Sequence, residues 1–182
     1  MSSKQVERVR APMILETIAG SHSYGTARPE SDVDIRGICL IPDKRLWLGL
    51  ERFDQQDSGW DTSDPGFLAA LDKIHGVGAA LAHAERAMAH GVTPTDKVVY
   101  HLPKFIKLAG DANPNILEIL ATADEHVIAE TTAGRRLREQ CRVFYSQKAL
   151  HTFSGYAFSQ LKRVRAKRRW VTDPPKQEPK IE

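Results

Sequence analysis

The segment from Ser31 to Ile41, SDVDIRGICLI, alternates two chemistries along the chain. Val33, Ile35, Gly37, Cys39 and Ile41 share one parity, and Asp32, Asp34 and Arg36 share the other. Side chains of an extended strand point to opposite faces in turn. The pattern therefore predicts a strand over Val33 to Ile41, ended by Pro42, with one face anchored in the core and two carboxylates on the other. Carboxylates held that way stand on a rigid element, as a catalytic site requires.

The flanking sequence supplies partners for this strand. Met13 to Ala19, MILETIA, lies between Pro12 and Gly20 and reads as a first strand. Gly20 to Ser31 is rich in Gly, Ser and Thr and predicts a short helix or turn. Arg45 to Leu50 reads as a short strand or turn, and Gln55 to Gly66 as a loop without periodicity. Phe67 to His90 is alanine-rich and predicts a helix, weakened by Gly76 and Gly78 at roughly 1 kcal/mol each. Asp96 to Leu102 is a further strand candidate. Pro103 suits the first turn of a helix, and Asn113-Pro114 an N-cap and first turn. Leu137, Cys141, Phe144 and Tyr145 keep a helical period, as do Phe153, Ala157, Leu161 and Val164. The tail TDPPKQEPKIE reads as extended. This order predicts an α+β fold, a small mixed β-sheet flanked by helices with a helical C-terminal portion. The expected division is a catalytic domain over residues 1–110, helices over 111–170 and a tail over 171–182.

Composition narrows the function classes. Of 182 residues, 41% are hydrophobic and 27% charged, which suits a folded globular chain. No apolar run approaches the ~18 residues that span a bilayer, and MSSKQVERVR lacks the apolar core of a secretory signal. The expectation is a cytoplasmic protein with no membrane partner. Cys39 and Cys141 have no neighbour at metal-ligand spacing and imply no disulfide framework. His22 and His101 fit neither a zinc spacing nor a Ser–His–Asp arrangement. Net charge is only +3, but Lys162, Arg163, Arg165, Lys167, Arg168 and Arg169 cluster without an acid among them. Such a helix suits a polyanionic partner, and equally a solvated face.

The chemistry is concentrated between Gly20 and Gly37. A glycine at a strand end lets the backbone turn sharply and approach a ligand. The serine after it offers a hydroxyl and amide groups to phosphate oxygens, although Ser also caps ordinary helices. Eleven residues after Ser21 come Asp32 and Asp34, hard oxygen ligands on one strand face that suit Mg²⁺ with substrate phosphates. Arg36, of the same parity, has two roles open to it: a phosphate contact, or an ion pair with Asp34. Tyr24 suits base stacking or simple packing, Asn113 a helix cap, and Glu118 either a polar group near the site or an exposed helix position.

The phrase ETIAGSHSYGTARPESDVDIRGICLIP resembles the nucleotidyltransferase signature shared with DNA polymerase beta. It is similar to the YcgL-type predicted nucleotidyltransferases, also grouped as the RNA repair pathway DNA polymerase beta family. YHLPKFIKLAGDANPNILEIL resembles the segment following that family's third carboxylate, and FSGYAFSQLKRVRAKRRW its C-terminal helix. The three stretches cover about half the chain in the family's order, while Gln55 to Gly91 matches no part of it. Family members are often longer, which makes this chain a short or truncated form by the same resemblance.

The resemblance implies transfer of a nucleoside monophosphate from an NTP to a hydroxyl, with Mg²⁺ or Mn²⁺ and release of pyrophosphate. Asp32 and Asp34 would bind two divalent ions, one holding the triphosphate and the other activating the attacking hydroxyl, and Gly20 and Ser21, with Arg36, would hold the nucleotide phosphates. The third carboxylate comes from a later strand. Asp96 is the expected residue, with Asp54, Asp57, Asp61 and Asp64 as competitors. RNA is the implied acceptor, with Lys162, Arg163, Arg165, Arg168 and Arg169 on its backbone. A protein or small-molecule acceptor, or a binding module without turnover, are the alternatives.

Overall fold

The computed structural model describes residues 12–28, 31–59, 65–78, 80–89 and 95–172. The N-terminal MSSKQVERVR and the proline-rich tail from Asp173 lie outside them. Five strands, β1 (Met13–Ala19), β2 (Val33–Cys39), β3 (Gln55–Gly59), β4 (Thr95–His101) and β5 (Val127–Glu130), form one sheet in the order β3-β4-β2-β1-β5. Only the β2–β4 pair is parallel; the other pairs are antiparallel. The α+β reading with a mixed sheet and a C-terminal helix is what the chain adopts.

The helices are α1 (Gly20–Ser23), α2 (Lys44–Trp47), α3 (Pro65–His75), α4 (Ala80–Ala89), α5 (Leu102–Gly110), α6 (Pro114–Ala121), α7 (Thr132–Glu139) and α8 (Lys148–Thr172). Strand parity divides them between the two sheet faces. Ile18, Val33 and Ile35 meet Phe67, Ala70, Leu71, Ala80 and Ala84 of α3 and α4. Leu15 and Ile38 meet Phe105, Ala109, Ile116, Leu117, Ile119 and Leu120 of α5 and α6. The strand β2 is thus covered on both faces except at its start, where Asp32 and Asp34 emerge.

Several sequence expectations change. The segment from Arg45 to Leu50 is not a strand: the Asp43 carboxylate accepts from the Arg45 amide at 2.8 Å and starts α2 instead. The expected loop from Gln55 opens with β3, which pairs antiparallel with β4 from Gln55↔Tyr100 to Gly59↔Asp96. Its sequence QQDSG has no apolar alternation, because an edge strand takes its order from backbone pairing. The helix expected over Phe67 to His90 is two helices, parted at Gly76 and Gly78, both with positive φ. The period through Leu137 and Tyr145 is also broken, with α7 ending at Glu139 and a 3₁₀ turn over Cys141–Phe144. The expected strand to Ile41 stops at Cys39. Asn113 caps α6 as expected, accepting from the Asn115 amide at 3.1 Å.

One charged pair sits in the core. Lys97 of β4 and Glu16 of β1 reach across β2 and meet at 2.5 Å, each side chain only 7% exposed. The ammonium also lies 5.5 Å from the centre of the Phe67 ring. A Cβ on Gly66 would press on the Glu16 carboxylate, so the start of α3 closes over the pair. Among the described residues no helix is long and apolar enough to cross a membrane.

Candidate active site

The site begins where β1 hands over to α1. Gly20 has φ +65°, a conformation that side chains with a Cβ rarely adopt. A Cβ there would also collide with the Asp34 carboxylate, whose strand is registered Ala19↔Asp34 against β1. Two independent demands therefore fix glycine at this position. The turn itself is held by the Tyr24 amide donating to Gly20 O at 3.2 Å and the Thr26 amide to Ser21 O at 2.9 Å. His22 Nε2 lies 3.5 Å from Ser31 O and ties the turn to the start of β2. Gly20→Ala is expected to cost about 1–3 kcal/mol in denaturant unfolding and to displace Asp34.

Parallel pairing of β2 with β4 sets Asp34 directly opposite Asp96. Asp96 is the expected third carboxylate, and the parallel register is what places it beside Asp34. Arg36, two residues along β2, lies between the two strands' acids. Its guanidinium is 3.1 Å from Asp34 Oδ1 and 3.9 Å from Asp96 Oδ2. Of its two open roles, the structure displays the ion pair. Burial raises the Asp34 pKa above the ordinary 3.8; Arg36 opposes the rise, while the nearby Asp32 and Asp96 charges add to it. Asp34 is therefore a partly desolvated carboxylate among like charges, with one guanidinium as its counter-ion.

Two further residues line this face, inside the stretches ETIAG and YHLPK but with no role assigned to them there. Thr17, fully buried and registered opposite Arg36, has its hydroxyl 3.4 Å from Arg36 O. Tyr100 stands on the same parity of β4 as Asp96, and burial raises its pKa. Only strand register reveals either one.

Of the competitors for the third carboxylate, Asp57 is registered opposite Val98, on the sheet face of Asp96 but one strand further from Asp34, and Asp54 lies just before β3. Asp54 pairs with Lys104 at 3.5 Å, and Asp57 on β3 accepts from Gln55 at 3.2 Å. Asp61 and Asp64 lie outside the described residues. Among the described residues no three acidic, imidazole or thiol side chains stand together as a ready-made metal cage. Asp32, Asp34 and Asp96 are nonetheless oxygen donors of the kind a hard divalent cation takes, and the charges of Asp32 and Asp96 both act on Asp34.

The basic cluster lies on α8. The first turns of that helix are pinned to the end of α5 and the turn before α6, with Lys148 on Asp111 at 2.6 Å and the Thr152 hydroxyl donating to Ala112 O at 2.7 Å. Lys162, Arg163 and Arg165 follow further along and are exposed. Arg168 and Arg169 continue the same helix, with side chains outside the described residues. Exposed Tyr156 and Phe158 precede the cluster.

The profile of the RNA repair pathway DNA polymerase beta family (RlaP) matches residues 2–173. The chain belongs to this family. The narrower YcgL-type label finds no support in the match. An uncharacterized 38.9 kDa protein from the nrdC-mobD intergenic region of Enterobacteria phage T4 is 29% identical over 115 residues. Those residues are 63% of this chain and 27% of the phage protein, so the match spans about a quarter of that relative's length. No solved structure matches the chain.

Proposed function

We propose that this protein is a metal-dependent nucleotidyltransferase that moves a nucleoside monophosphate from an NTP to an RNA hydroxyl, releasing pyrophosphate. The observation that carries this is the registered pair Asp34↔Asp96 beside the left-handed Gly20 turn, in a chain of the RNA repair pathway family. The amides and hydroxyl of Gly20-Ser21 hold the phosphate oxygens. Asp32, Asp34 and Asp96 hold Mg²⁺ or Mn²⁺, which when bound lowers the pKa of the attacking hydroxyl and offsets charge on the phosphates. Asp96, exposed at the start of β4, accepts the proton from that hydroxyl. Arg36 balances the carboxylates in the structure and presents the nearest guanidinium for the developing phosphate charge.

The basic residues of α8 support RNA as the acceptor. Lys162, Arg163 and Arg165 changed together to Ala are expected to flatten the salt dependence of RNA binding. The slope of log K against log salt should fall by about 0.7 for each phosphate that the helix no longer neutralises. Fluorescence anisotropy over a salt series measures it, and an unchanged slope removes α8 from the RNA path. The reaction itself is tested with α-labelled NTPs, Mg²⁺ and pooled RNA. Label in RNA is the expected outcome; label only in protein or a small molecule would redirect the acceptor, and no label in any acceptor would sink the proposal.

A further inference from the structure

The helix α8 is anchored at its start and along one side. Lys148 and Thr152 tie it to Asp111 and Ala112, and Ala149 packs on the core beneath α5 and α6. From Phe153 to Arg165 every residue except Gln160 is exposed. Phe153, Tyr156, Phe158, Leu161 and Val164 are each at least 40% exposed. Apolar surface that runs on in this way, rather than scattering singly, marks an interaction site.

One face of this surface joins aromatic and cationic groups. Gly155, Phe158, Lys162 and Arg165 follow at i, i+3, i+7 and i+10, so they share a stripe that runs roughly 15 Å along the axis. Phe158 is 65% exposed. One turn before it, a Cβ built on Gly155 would meet nothing. Packing within the protein therefore does not ask for glycine there, although glycine weakens a helix relative to alanine. What the missing side chain leaves is bare backbone beside the Phe158 ring, open to a close approach from outside. Lys162 and Arg165 stand roughly 6 and 10 Å further along.

We propose that this face holds an unpaired stretch of the acceptor RNA, with one base stacked on Phe158 beside Gly155 and Lys162 and Arg165 on the phosphates that follow. This rests on the RNA-acceptor reading above and makes the acceptor single-stranded. Charge selects the occupant. The whole of α8 contains no acid, so a second copy of the helix would offer its cations nothing. RNA supplies both parts at once, flat base faces for the ring and phosphates for the cations. Only an unpaired strand can present a base face, because a duplex keeps its bases inside the stack and is met through its backbone and shape.

Fluorescence anisotropy of the full chain with a short labelled RNA, as a single strand and as its blunt duplex, tests this without NTP or metal. In high salt, where phosphate attraction is screened, wild type should bind the strand at least about tenfold more tightly than the duplex. Phe158→Ala should weaken strand binding by about tenfold and leave duplex binding unchanged. Its salt slope for the strand should match that of wild type, because no charge is removed. Phe158→Trp should keep the strand affinity, and Phe158→Leu should lose it, since leucine keeps apolar contact without a ring. Equal binding of strand and duplex by wild type overturns the proposal and leaves RNA standing as the acceptor. Full strand affinity in Phe158→Leu does the same, and would make the face an apolar docking surface for a protein. The wild-type comparison decides the point even if a variant fails to fold. Failure of both RNA forms to bind overturns this face and the RNA acceptor together.

Discussion

Asp34→Asn is expected to lower nucleotidyl transfer by roughly 10³-fold or more while leaving the protein folded. Asparagine keeps the shape of the side chain and removes the charge that a divalent ion needs. The electrostatics of the fold predict that this loss is not a folding defect. The Asp34 pKa is raised above the ordinary 3.8, chiefly by burial. At low pH the residue is protonated in both the folded and the unfolded chain. As pH rises, the unfolded chain releases its proton first, at the ordinary carboxylate value. Stability contributed by Asp34 therefore falls with rising pH until the raised folded value is passed. Above that window the charge is a burden on the fold, and Asn removes it. The metal-free variant should unfold at neutral pH at a midpoint equal to or above that of wild type. A site that destabilises its own scaffold is a common sign of function.

Lys97→Met is expected to destabilise the chain by about 3–5 kcal/mol. Methionine keeps much of the volume and the contact with Phe67, but it leaves the Glu16 carboxylate in the core without its cation. For a chain of this size the unfolding temperature should fall by about 10 °C. Glu16→Gln combined with Lys97→Met should recover part of that loss, because the stranded charge is then gone. Denaturant unfolding of the two single variants and the double variant measures the coupling. Additive losses would show that the pair acts as two independent groups. The pair matters to the site because it ties β1 to β4 across β2, and so fixes the three strands that bring Gly20, Asp34 and Asp96 together.

Much of this was legible in the amino-acid order, and the illegible parts share a cause. Alternation in SDVDIRG is strong because β2 has one apolar parity and carries charge on the other, so strand, face and carboxylates could be read together. Asp96 was legible as the opening of a strand, but its position opposite Asp34 depends on parallel register, which no local pattern encodes. Edge strands hid for a related reason. β3 has no apolar alternation, and β5 is only four residues long, with its place set by pairing to β1. Thr17 and Tyr100 lie inside the stretches ETIAG and YHLPK, but their place on the carboxylate face depends on strand register. Arg36 was legible as a neighbour of the carboxylates, while its bridging position between Asp34 and Asp96 needed the sheet.

The central claim is that Asp32, Asp34 and Asp96 act together on one divalent ion. Titration of the protein with Mn²⁺, followed by electron paramagnetic resonance of the free ion, tests it most directly. Wild type should bind Mn²⁺, and Asp34→Asn and Asp96→Asn should each weaken binding by at least about 10–100-fold, the range that metal-site substitutions commonly produce. Asp57→Asn, on the neighbouring edge strand, should leave it unchanged. Mn²⁺ binding that is the same in wild type, Asp34→Asn and Asp96→Asn would contradict the account.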